Sequence, residues 1–132
     1  MNTEVLMDDY CFACGKSNEN GLRLRILESD DGVRAAFIAP KWAQGYKNVV
    51  HGGIISTILD EMAVWAAYKS GYKSVTAELN VRIKQAMKIG REYSAQAKVI
   101  AVKHQLVTAA SKIVDENNTL IALADVKLIK ND

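Results

Sequence analysis

Proline occurs once, at Pro40, cysteine and histidine occur twice each, and the formal net charge is only +2 over 132 residues. No apolar run approaches the ~18 residues that a bilayer span requires, so no membrane segment is expected. No basic cluster is interleaved with aromatic residues, and with so small a net charge nucleic-acid binding is set aside. The opening stretch MNTEVLMDDY is acidic and lacks the basic start and apolar run of a secretion signal, so a soluble cytoplasmic chain is expected. What is plentiful is ordinary core material. Hydrophobic residues make up 49% and charged residues 24%, which excludes a disordered chain. A chain of this size is expected to be one domain over residues 1–132, burying roughly two-thirds of its unfolded surface.

The cysteines, Cys11 and Cys14, are spaced C-x-x-C. A structural zinc takes four ligands, and no second C-x-x-C or H-x-x-H is present; His51 and His104 lie far apart. A redox C-x-x-C normally opens a helix after a strand, whereas Gly15, Asn18, Asn20 and Gly21 mark this region as turns. The first reading is therefore packing or loop residues, with a metal shared between subunits and redox chemistry as the alternatives. No metal and no cofactor is expected.

Residues 1–21 read as an irregular lead-in. Leu22 to Leu27 alternates apolar and basic residues, the period of a half-buried strand. Glu28 to Gly32 reads as a turn and Val33 to Ile38 as a second strand, giving a hairpin. Beyond Pro40 a loop leads to His51, and from Gly53 to Tyr68 the pattern is helical. Apolar residues occupy nearly every face of that helix, so it belongs inside the protein, and Gly71 ends it. The remainder is β-rich: Ser74 to Ile83, with Val75, Ala77, Leu79, Val81 and Ile83 on one face, a turn around Gly90, then Tyr93–Val102, Leu106–Asp115 and Leu120–Ile129. The order β-β-α-β-β-β-β predicts an α+β fold in which an antiparallel sheet wraps one long central helix.

The central helix carries the chemistry. A backbone N–H at its start, such as that of Gly53, has no intrahelical acceptor and can bind a carbonyl oxygen that gains charge on attack. Glycine there lets a ligand touch the backbone. Two acids, Asp60 and Glu61, sit in the apolar middle, where a carboxylate is costly unless it is satisfied or used. They are about 100° apart around the helix, and periodicity does not decide which faces a site. Asp60 lies roughly 10 Å along the axis from Gly53, so it could act only on a carbonyl held by the helix of a second, antiparallel copy. A dimer with shared sites follows if both residues are functional.

Three features extend this stretch: His51-Gly52-Gly53 with an acid nine residues after the histidine, the segment QGYKNVVHGGIISTILDE, and the strand SVTAELNVRI followed by Gly90. Together they resemble the hotdog-fold acyl-CoA thioesterases of the phenylacetate-degradation type. The lead-in CFACGKSNENGLRLRI is similar to that of another branch of the same superfamily, so the likeness covers about residues 11–92. The resemblance implies a hotdog fold and a homodimer or a dimer of dimers. It implies that Asp60 is the catalytic carboxylate, acting as general base on water or as a nucleophile forming an anhydride. It assigns the Gly53 N–H to the thioester carbonyl, His51 and Gly52 to the turn that binds near it, and Thr76 to orienting the attacking water.

The chain departs from the family pattern in places. Gly45 stands where several relatives carry an asparagine, leaving Gln44 as the nearest amide, and Asn48 stands where glycine or proline is usual. Glu61 is kept beside Asp60 as a second acid near the substrate. After NVR the segment IKQAMK is unusually basic, so Lys84, Lys88 and Arg91 become candidate contacts for CoA phosphates. The expected activity is hydrolysis of an acyl-CoA thioester to a carboxylate and CoA. The alternatives are a non-catalytic acyl-CoA-binding protein and a hotdog hydratase or dehydratase, which would need a histidine in a different setting.

Overall fold

The computed structural model describes residues 5–131; the first four residues of the expected irregular lead-in, and Asp132, lie outside them. Strands β1 (Leu27–Ser29) and β2 (Gly32–Ile38) form a hairpin, followed by a short 3₁₀ turn (Lys41–Ala43) and helix α1 (Gly52–Lys69). Four long strands complete the chain: β3 (Ser74–Ile83), β4 (Glu92–Lys103), β5 (Leu106–Asp115) and β6 (Leu120–Lys130). All pair antiparallel in one six-stranded sheet of order β1-β2-β4-β5-β6-β3. The sheet wraps α1, as expected. Ile55, Ile58, Leu59, Met62, Ala63, Ala66 and Ala67 of the helix are buried against Val33, Ala35, Val107, Ala109, Val126 and Leu128 of the strands. Among the described residues no helix is long and apolar enough to cross a membrane.

The helix stop is local. Gly71 adopts φ +95°, its N–H reaches the carbonyl of Tyr68 at 3.0 Å, and the Tyr72 N–H reaches that of Ala67 at 2.9 Å. That pair of bonds satisfies the last carbonyls and turns the chain out of the helix, a conformation glycine adopts without strain. Gly32 has a different reason: a Cβ there would lie 1.9 Å from the carbonyl oxygen of Ala97, so only glycine lets β2 approach β4.

Two expectations need correction. The strand expected over Leu22–Leu27 is not in the sheet; β1 begins only at Leu27. Leu22 and Leu24 are buried as their alternation demands, but their N–H groups donate to the carbonyls of Phe12 and Ala13 in the lead-in, and Arg23 has φ +53°. Local backbone pairing has replaced the ladder. In β3, the single face assigned to Val75 through Ile83 is broken by a bulge between Thr76 and Glu78. Directly paired residues share a face. Thr76, paired with Leu128, therefore faces the helix together with Leu79, Val81 and Ile83, while Val75 turns outward with Ile129.

Met62 is completely buried between helix and sheet. Met62→Ala is expected to lower stability by about 2–5 kcal/mol, read as a shift of the urea midpoint with an unchanged slope.

Candidate active site

The loop before α1 is held on both sides. The Gly45 N–H donates to the Val49 carbonyl (2.8 Å) and the Val49 N–H to that of Tyr46 (3.0 Å), closing a tight turn. Gln44 Oε1 accepts from the Asn48 N–H (2.9 Å) and from Lys41 Nζ (2.8 Å), so its carbonyl end is used within the loop. Asn48 takes φ +63°, a left-handed conformation that asparagine tolerates better than most residues. A side chain at Gly45 would start 3.1 Å from His51 Cα, so a larger residue there would press on the histidine. On the far side, the Val50 N–H donates to the Met87 carbonyl (2.8 Å) and the Ile89 N–H to that of Asn48 (3.0 Å). The β3–β4 connection thus lies alongside Asn48–Val50, which lead into the His-Gly-Gly turn, and it carries exposed Lys84, Lys88 and Arg91.

His51 is the N-cap of α1, and its Nδ1 accepts the Gly53 N–H at 2.9 Å. The donor expected to wait for a carbonyl is therefore engaged by the histidine two residues earlier. The same bond fixes the imidazole against the helix start, with Gly53 exposed and Gly52 half-buried beside Ile83 Cδ1.

Further along α1, Asp60 is half-buried and its Oδ1 accepts the Thr76 hydroxyl at 2.6 Å, a charge-assisted bond. The bulge after Thr76 makes the meeting possible, because it sets Thr76 in phase with the helix-facing residues beyond it. Among the described residues β3 pairs only with β6, and its other edge is unpaired. Its helix-facing residues stay open: Leu79 is 36% and Ile83 48% exposed. The Asp60–Thr76 pair thus lies next to an uncovered apolar margin.

Glu61 points elsewhere. Its Oε2 accepts Trp65 Nε1–H at 3.0 Å and lies 3.7 Å from Cys11 Sγ. Cys14 belongs to the same group, and burial first, then the bond to Glu61, push its thiol well above the usual range. The two neighbouring acids serve different surroundings, Asp60 with β3 and Glu61 with the lead-in. No sequence spacing signals that Glu61 joins Cys11 across 50 residues. His104 lies in the left-handed turn between β4 and β5, away from this group.

With this geometry in hand, residues 47–122 match the profile of the thioesterase superfamily. A curated relative from Archaeoglobus fulgidus, provisionally named an esterase, is 29% identical over 117 residues, covering 88% of this chain and 75% of that protein. A solved thioesterase superfamily protein superposes with a TM-score of 0.87 at 21% identity, over 93% of this chain and 61% of that one. This chain therefore spans somewhat less than two-thirds of that protein. A hypothetical thioesterase from Streptococcus pneumoniae, solved with coenzyme A, superposes at 0.76 with 16% identity over 82% of this chain and 85% of that one. The protein of that name has also been solved with an Asp and with a Thr each replaced by Ala, at positions 16 apart. These likenesses show the hotdog arrangement of sheet and helix expected above.

Removing the cap should loosen the helix start. His51→Ala is expected to lower stability by about 1 kcal/mol and His51→Asn, which keeps a cap acceptor, by less, measured by thermal unfolding.

Proposed function

The chain belongs to the thioesterase superfamily, and from that footing we propose that it hydrolyses an acyl-CoA thioester to a carboxylate and CoA, with Asp60 as the catalytic carboxylate. The observation that carries this reading is the 2.6 Å bond from Thr76 to Asp60, which aims one carboxylate oxygen and leaves the other for a water or an acyl carbon. The replaced Asp and Thr of the Streptococcus pneumoniae protein are 16 positions apart, the separation of Asp60 and Thr76.

In the general-base form, Asp60 takes a proton from water as the water oxygen bonds to the thioester carbon, and the C–S bond then breaks to release the CoA thiolate. In the nucleophilic form, Asp60 attacks the same carbon and the C–S bond breaks to release the CoA thiolate; water then cleaves the resulting anhydride, giving the carboxylate product and restoring Asp60. Both need a donor at the carbonyl oxygen. The start of α1 supplies it, with the Gly53 N–H passing from His51 Nδ1 to the incoming carbonyl and Gly52 allowing close approach. His51 holds the donor in direction before substrate arrives.

The carboxylate and the donor belong to different copies of the chain. Seven residues of helix separate Asp60 from Gly53 by roughly 10 Å, beyond the reach of one carbonyl group. A second copy meeting the unpaired edge of β3 would bring its own helix start to Asp60 and cover Leu79 and Ile83. The assembly proposed is a homodimer or a dimer of dimers. Lys84, Lys88 and Arg91, exposed on the β3–β4 connection that pairs with Val49, give the CoA phosphates a cationic approach, and the coenzyme A held by the Streptococcus pneumoniae protein supports a ligand of this class. Gln44 and Asn48 contribute by shaping the loop.

Free-thiol release from a panel of acyl-CoAs tests the chemistry. Asp60→Asn is expected to lower turnover roughly 10²–10⁴-fold, and Thr76→Ala roughly tenfold or more. An Asp60→Asn enzyme as active as its parent, or a parent inert on every acyl-CoA, would falsify the assignment. Glu61→Gln is measured beside it, and loss there alone would move the base by one residue. Sedimentation tests the shared site: Ile83→Asp should shift the protein toward monomer and abolish turnover together, and a monomer that still hydrolyses thioesters contradicts it.

A further inference from the structure

We propose that Cys11, Cys14 and Glu61 form a divalent-metal site, suited to zinc, that fastens the lead-in segment to the central helix. The two sulfurs and a carboxylate oxygen of Glu61 all lie within 4.8 Å of one another. Tetrahedral zinc, with bonds of about 2.3 Å to sulfur and 2.0–2.2 Å to oxygen, needs ligand edges of roughly 3.8 Å between sulfurs and 3.5 Å between sulfur and oxygen. The Cys11 Sγ to Glu61 Oε2 separation is already 3.7 Å. Closing the remaining edges takes about an ångström of side-chain movement and no rearrangement of the fold.

The backbone around the cysteines is wound for this purpose. The Ala13 N–H points at Cys11 Sγ (3.4 Å), a donor that favours a charged, metal-bound sulfur over a thiol. The Gly15 N–H donates to the Cys11 carbonyl at 2.9 Å, closing the turn that brings Cys14 back toward Cys11. A Cβ at Gly15 would lie 2.3 Å from the Asp9 carbonyl oxygen and 2.4 Å from Cys11 N, so the turn is as tight as glycine permits.

Glu61 supplies a second, independent argument. It is half-buried on an apolar helix, and among the described residues no lysine, arginine or histidine pairs with it. A carboxylate so placed needs compensation that one indole N–H and two thiols provide only weakly. A dication provides it. The Trp65 Nε1–H bond to Oε2 at 3.0 Å then becomes the outer-shell contact that orients a metal-binding carboxylate. The three groups line a cleft of about 910 Å³ together with Tyr10, Arg25, Val64 and Trp65, from which a water would complete a four-ligand shell. Binding releases the two thiol protons to solvent, and the two thiolates and the Glu61 carboxylate replace waters of the hydrated ion. Because Glu61 is about 100° around α1 from Asp60, the metal secures the face away from β3 and stays clear of the thioester chemistry.

The test is a cobalt titration of the reduced, metal-stripped 132-residue chain under anaerobic conditions. One Co²⁺ per chain is expected, with an intense near-ultraviolet thiolate-to-metal band that Zn²⁺ abolishes stoichiometrically. Cys14→Ser should lose most of that band. Trp65→Phe, which removes only the outer-shell N–H, should weaken Zn²⁺ binding roughly 10–100-fold, and Glu61→Gln at least as much. Circular dichroism establishes that each variant is folded, and if Cys14→Ser is not, the parent spectrum with the Glu61 and Trp65 variants decides. A folded, reduced parent with no thiolate band, or Glu61→Gln binding Zn²⁺ as tightly as the parent, overturns the site.

Discussion

Two adjacent carboxylates in the middle of an enclosed apolar helix impose the constraint on which the rest of the molecule depends. The helix has to be apolar to fill a sheet that wraps it, and each acid then has to find a partner from outside the helix. Adjacent helix positions diverge by about 100°, so one element cannot serve both. The strand after the helix reaches Asp60 through Thr76, and the lead-in reaches Glu61 through Cys11, with Trp65 of the helix assisting.

Meeting Asp60 shapes the sheet. β3 runs along its edge, and a regular strand pairing with β6 would carry Thr76 and the later apolar residues on opposite faces. The bulge between Thr76 and Glu78 puts them on one face, so a single strand presents a hydroxyl to the carboxylate and an apolar margin beyond it. The helix start obeys a different demand. Its N–H groups lack intrahelical acceptors, and His51 satisfies that of Gly53 while the loop from Gln44 to Val50 is braced by the β3–β4 connection. The donor and the carboxylate are built at separate places on one helix, which is why the proposed chemistry calls for two copies of the chain.

Much of the fold was legible because its signals are local. Helix α1 differs from its expected span by a single residue at each end, since apolar periodicity, the glycine pair and Gly71 act over a few residues. The strands from β3 onward were readable from alternation and from turns such as Asn117-Asn118. Where alternation misled, backbone geometry intervened. Leu22 and Leu24 bury as a strand would, yet bond to Phe12 and Ala13, and the extra residue in β3 reverses the faces of its first half.

By itself the sequence determined the order of elements, the enclosed helix and the short list of polar groups able to act, because hydrophobic period and turn chemistry operate between near neighbours. Only the tertiary structure decided what those groups meet. It turned Asp60 to Thr76 and Glu61 to the cysteines, and it gave the Gly53 N–H to His51. The cysteines, which with the histidines fell short of a ligand set in sequence, gained a third candidate ligand from a helix 50 residues away. Such meetings depend on side-chain direction and on the register of a bulged strand, which no spacing along the chain encodes.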